Sequence, residues 1–184
     1  MKKLTIFLVL VLMISFTSYA QSFRGLDKSP LDNAYFPDNF AHDRKPGDKA
    51  VIRVTYSRPQ KKERKVFGGI VSYDEVWRTG ANEATEIRLY QDVKFGDKML
   101  KAGRYSLFTI PGEKEWTIIF NADLDYWGAY SYKPENDVLR ISAQFEIINE
   151  SVEAFTIQFD KKDEGTAVMK FIWDKTLVEV PFSY

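Results

Sequence analysis

Residues able to bind or react collect in two short stretches. The first, Tyr73 to Thr85, brings Trp77, Arg78, Gly80, Asn82 and Glu83 within seven residues. Arginine offers a planar fork of donors, asparagine both donates and accepts, and glutamate accepts; beside a tryptophan face these groups suit a carboxylate or a sugar. The second stretch, Asn121 to Asp137, holds Tyr126, Trp127, Gly128, Tyr130 and Tyr132 beside Asp123, Asp125, Glu135 and Asp137. Aromatic loops of this kind either cover an apolar core or present stacking platforms. The candidate ligand-binding set is therefore Trp77, Arg78, Asn82, Glu83, Trp127 and Tyr130. Each has a structural counterpart. Gly80 could supply a positive φ, Arg78 could pair with Glu75 or Glu83, and Trp77 could plug the open end of a sandwich.

Other chemistries are closed off by composition. There is no cysteine and one histidine among 184 residues, which removes thiol nucleophiles, disulfides and His-rich or thiolate zinc sites. A serine triad would have to use His42, which lies in a polar region with no nucleophile elbow nearby. Asn121-x-Asp123-x-Asp125 imitates the opening of a calcium loop, but Tyr126 stands where glycine is needed and Tyr132 where a bidentate glutamate is needed. The isolated Gly68-Gly69 lacks the spacing of a phosphate loop. No cofactor and no metal is expected. Glycan hydrolysis needs only two opposed carboxylates, so Glu83 with Asp123, Asp125 or Asp137 stays open as an alternative to plain binding. With 26 basic and 26 acidic residues the chain gives no support for nucleic-acid binding by a broad basic surface.

The elements that must position these groups read as strands. Apolar residues recur every second position in Ile52–Tyr56, Ile87–Leu89, Tyr105–Ile110 and Trp116–Phe120. The last two runs flank Pro111-Gly112 and form a hairpin, and Val93–Phe95, Gly96-Asp97 and Met99-Leu100 form another. Val138–Ile147 alternates up to a turn at Asn149-Glu150; Phe155, Ile157 and Phe159 share a face; Val168–Trp173 reads as a central strand. Leu177–Val180 stops at Pro181 like a terminal edge strand. Lys61–Lys65 is a charge run of the solvated-loop kind. No amphipathic helix of eleven residues or more follows the leader. The expected fold is all-β: a jelly-roll-like antiparallel β-sandwich of about eight to ten short strands. With 45% apolar and 15% aromatic residues it has enough material for a core.

Residues 1–20 have the form of a secretory signal peptide. Lys2 and Lys3 precede an apolar run from Leu4 to Phe16, and small residues at Ser18 and Ala20 place cleavage between Ala20 and Gln21. The run is too short for a membrane span, so no span is expected after cleavage. The destination is the periplasm or the extracellular space. Residues 21–48, punctuated by Pro30, Pro37, Pro46 and Gly47, read as an extended N-terminal arm ahead of a single domain over 49–184.

Several strings together carry a family resemblance: Thr55-Tyr56-Ser57-Arg58-Pro59, Val66-Phe67-Gly68-Gly69, Val76-Trp77-Arg78-Thr79-Gly80-Ala81-Asn82-Glu83-Ala84-Thr85, Ala102 to Pro111, Trp116 to Asn121, Trp127-Gly128-Ala129-Tyr130 and Asp137-Val138-Leu139-Arg140. On these the chain resembles the secreted bacterial group known as domain of unknown function 2911, collinear from about Asp48 to Tyr184. One departure is Lys62-Glu63-Arg64, where the resemblance implies glycine in the middle. It implies a secreted domain and transfers no catalytic residue. The expected role is a non-enzymatic, envelope-associated module for a small carboxylate or glycan; a hydrolase with paired carboxylates or a purely structural domain is the alternative.

Overall fold

The computed structural model describes residues 23–184. The proposed leader and its cleavage site, Ala20 and Gln21, lie outside the described residues.

Among the described residues nine antiparallel strands form one large sheet that is not closed into a barrel. They are β1 (Leu31–Phe36), β2 (Ile52–Ser57), β3 (Thr85–Leu89), β4 (Val93–Phe95), β5 (Lys98–Leu100), β6 (Gly103–Pro111), β7 (Glu115–Asn121), β8 (Asp137–Asp163) and β9 (Thr166–Ser183). Their order across the sheet is β1-β2-β3-β6-β7-β8-β9-β4-β5. The all-β sandwich holds, and both expected hairpins form: Phe108 faces Ile119 across β6 and β7, and Lys94 faces Met99 across β4 and β5.

Two strands are long where short ones are expected. β8 runs 27 residues straight through Asn149-Glu150, and its register shifts there absorb the bend that the sequence presents as a turn. Its first half pairs with β7 and its second half with β9, so this strand belongs to both layers. β9 passes through Pro181 to Ser183 and lies between β8 and β4, so it is not an edge. The region expected as an arm supplies the true edge: every residue of β1 is in register with β2, from Leu31 opposite Ser57 to Phe36 opposite Ile52.

Alternation explains the core. Ile52, Val54, Tyr56, Ile87, Leu89, Leu107, Trp116, Ile118 and Phe120 point inward from the first layer and are buried. They meet Phe155, Ile157, Phe159, Phe171, Trp173 and Phe182 of β8 and β9. Polar ties stitch the layers. The Tyr56 hydroxyl donates to the Ile157 carbonyl at 3.3 Å and accepts from its N–H at 3.0 Å. Arg58 donates to Phe155 O (3.1 Å), Thr156 Oγ1 (2.8 Å) and Asp32 (3.0 Å). The charge run beyond it is partly structural: Lys61 pairs with Asp174, and its N–H donates to Glu153 O at 2.9 Å.

In Lys62-Glu63-Arg64, where the resemblance implies a central glycine, Lys62 and Glu63 take φ of 48° and 60°. This left-handed region costs an L-residue about 1–2 kcal/mol, a penalty glycine lacks. Glu63→Gly is expected to raise stability by roughly 0.5–1 kcal/mol once glycine's greater unfolded-state entropy is offset. Urea unfolding checks this; a loss of stability would mean that the Glu63 side chain itself holds the loop.

Candidate functional site

The bend from Trp77 to Thr85 divides into a sealed half and an open half. Trp77 is 9% exposed and packs among Phe67, Trp116, Phe155 and Trp173, with ring centroids 5.0–6.3 Å away. Its indole N–H donates to Gly80 O at 3.0 Å, and its main chain exchanges hydrogen bonds with Thr109 of β6 at 2.7 and 3.0 Å. Thr79 is fully buried: its hydroxyl lies 3.1 Å from that of Thr109, and its carbonyl accepts from Thr85 Oγ1 at 2.6 Å. Gly80 is needed because a Cβ there would stand 2.9 Å from Ser57 O. This half is a structural knot, and it takes Trp77 out of the candidate site.

Arg78 leaves the site too. It pairs with neither Glu75 nor Glu83; instead it donates to Asn82 O at 3.1 Å and sits 5.7 Å from the centre of the Tyr130 ring. Tyr130 is 82% exposed, and neither it nor Arg78 lines the cleft described below.

Asn82, Glu83 and Trp127 do come together. Gly128 N donates to Asn82 O and Ala84 N to Tyr126 O, both at 2.9 Å, and Glu83 bridges to Trp127 between them. This short antiparallel clasp joins the two stretches singled out in the sequence. It walls a cleft of about 590 Å³ on the outer face of the first layer, not at the open end of the sandwich.

The cleft's floor is the polar half of the strand alternation: Arg53, Thr55 and Ser57 of β2, Glu86 of β3 and Ser106 of β6. Leu124, Asp125, Tyr126 and Trp127 line one side, and Arg24, Asp27, Ser29 and Leu31 line another. Asp27 accepts from Ser29 N at 2.7 Å and from Asn82 Nδ2 at 3.0 Å, which fastens the N-terminal segment to the clasp. Those two hydrogen bonds hold its carboxyl below the usual carboxylate range.

The aromatic loop is braced from below. Asn121, fully buried, donates to Lys133 O (3.0 Å) and Asp137 (2.8 Å) and accepts from Asp123 N (3.0 Å). Asp123 accepts from the Tyr126 hydroxyl and Asn136 Nδ2, each at 2.6 Å. These bonds lower its pKa, and the Asp123 hydrogen bond pushes the Tyr126 phenol up to about 12. Asp137 accepts from the Tyr132 hydroxyl (2.6 Å) and Arg140 Nε (2.7 Å). Tyr126 and Tyr132 cover Phe108, so the loop both caps an apolar residue and offers Trp127 to solvent. Asp123 is an ionised acceptor in a closed network, the wrong state for a general acid. Of the carboxylates considered for hydrolysis, only Glu83 and Asp125 line the cleft.

Arg53, Thr55, Glu86 and Ser106 are functional candidates that the sequence reading passes over. They sit on strands as ordinary polar partners in an alternating pattern, and only strand pairing brings them to one floor.

The family model described as protein of unknown function (DUF2911) matches residues 39–182. No curated protein and no solved structure matches the chain. The chain belongs to this family of proteins of unknown function.

Proposed function

We propose that this protein is a secreted, envelope-associated β-sandwich that binds a small ligand or glycan in the cleft of β2, β3 and β6, without catalysis. The leader-like residues 1–20 support a periplasmic or extracellular location. One observation carries the binding reading: Trp127, 60% exposed, stands at the edge of a cleft of about 590 Å³ beside Glu83 and Asp125. That volume falls within the usual range for small-ligand sites. An exposed indole next to hydrogen-bonding carboxylates suits a sugar ring, whose C–H face stacks while its hydroxyls donate.

Trp127 also provides the assay. The other tryptophans, Trp77, Trp116 and Trp173, are buried, so a ligand in the cleft should alter the emission of one indole. In a fluorescence and thermal-shift screen of saccharides and small carboxylates, Trp127→Ala is expected to weaken binding at least about tenfold, or 1.4 kcal/mol. Its own stability should stay within about 0.5 kcal/mol of the parent, because the side chain is exposed. Binding unchanged by the substitution, or no binding across the screen, overturns the proposal. The competing reading, a glycan hydrolase, is favoured by the presence of both Glu83 and Asp125 in the cleft. Release of new reducing ends that is lost in Glu83→Gln would establish it.

A further inference from the structure

The register of the cleft floor sets arginines against one another. Arg53 lies opposite Arg88 across β2 and β3, and Arg88 lies opposite Arg104 across β3 and β6. Like charges directly opposite on one face of a sheet destabilise it. Two of the three have compensation. Arg104 grips Glu86, with Nε donating at 3.1 Å, and Arg88 lies over the Tyr90 ring at 4.5 Å. Arg53 has none among the described residues: no carboxylate pairs with it, and its buried Nε has no hydrogen-bond acceptor. A half-buried guanidinium with an orphaned donor beside a second arginine is a residue that folding alone disfavours.

On the reading that the cleft binds a ligand, we infer that the ligand carries an anionic group, a carboxylate, sulfate or phosphate, that docks on Arg53. Partial burial strengthens such a pair, and the guanidinium fork matches the oxygens of all three groups. At the other end Glu83 and Asp125 line the cleft; Arg24 and Asp27 stand near each other and offset one another's charge, and Glu86 on the floor is held by Arg104. From Arg88 back to Thr85, β3 alone spans about 10 Å, and Glu83 lies beyond. The two ends therefore orient the ligand: the anion goes to Arg53, while ring hydroxyls donate to Glu83 and Asp125 beside Trp127. An acidic saccharide has this polarity.

The test sets uronic-acid, sulfated and phosphorylated saccharides against their neutral parents, with inorganic phosphate as a separate arm, on the purified protein, Arg53→Gln and Arg53→Lys. The expected result is at least tenfold tighter binding of the acidic members, weakened by salt and abolished in Arg53→Gln. Arg53→Lys, which keeps the charge and loses the fork, should retain a reduced, salt-sensitive preference. Without ligand, Arg53→Gln should melt no lower than the parent, since it removes a repulsion and an unpaired donor. Equal binding of acidic and neutral saccharides, sensitive to Trp127→Ala, overturns this inference and leaves the glycan site standing. Arg53-dependent binding of inorganic phosphate with no saccharide bound keeps the anion site and overturns the glycan site. No binding in any arm, or a clear drop in melting temperature for both Arg53 variants, overturns the inference.

Discussion

Trp77→Ala will lower folding stability by about 3–5 kcal/mol. Trp77 is the centre of the aromatic cluster: Trp173 stacks on it with an interplanar angle of 18°, and Phe67, Trp116 and Phe155 meet it at 65–82°. Truncation removes apolar area from a close-packed site and leaves a void that rigid rings cannot collapse to fill. It also strips Gly80 O of its indole donor. The effect reaches beyond stability, because Trp77 anchors the first half of the bend whose second half walls the cleft. Equilibrium unfolding in urea measures the loss. A change below about 1 kcal/mol would contradict the buried position of the ring and return Trp77 to the list of ligand platforms.

Tyr56→Phe should cost about 2–4 kcal/mol, an unusually large effect for the removal of one oxygen. The hydroxyl serves both the N–H and the C=O of Ile157, and Tyr56 and Ile157 are 2% and 3% exposed. Without it a donor and an acceptor of the backbone stay buried and unpaired, and each such group costs roughly 1–3 kcal/mol. Burial of the same hydroxyl raises its pKa, so it remains protonated and able to donate under ordinary conditions. The comparison variant is Tyr105→Phe, whose hydroxyl makes a single bond, to Lys101 O at 2.9 Å, and which should lose much less. Equal losses for the two would show that the tie between layers contributes nothing special.

Much of this architecture is legible in the residues. Period-two alternation marks β2, β3, β6 and β7, and the Gly96-Asp97 and Pro111-Gly112 punctuation marks the hairpins. The continuity of β8 is not legible, because Asn149-Glu150 has turn chemistry whether the chain reverses or merely bends through a shifted register. Of the candidate site, Asn82, Glu83 and Trp127 are picked out by residue type, whereas the main-chain clasp that joins them is not. Trp77 does not reveal its place: a tryptophan beside an arginine looks the same whether it faces a ligand or four other indole and phenyl rings. Arg53, Arg88 and Arg104 escape notice because their meeting depends on strand register, a long-range property, while along the chain Arg53 and Arg88 are single polar residues between apolar neighbours and Arg104 merely follows a glycine.

The N-terminal segment has a practical consequence for anyone handling the molecule. Arg24, Asp27, Ser29 and Leu31 form a side of the cleft, whereas Tyr184 packs against Phe36 and its N–H donates to Gly165 O at 3.1 Å. A purification tag or biosensor linker fused just ahead of Arg24 would crowd the mouth through which a guest must enter. Immobilisation through the opposite terminus leaves that mouth clear.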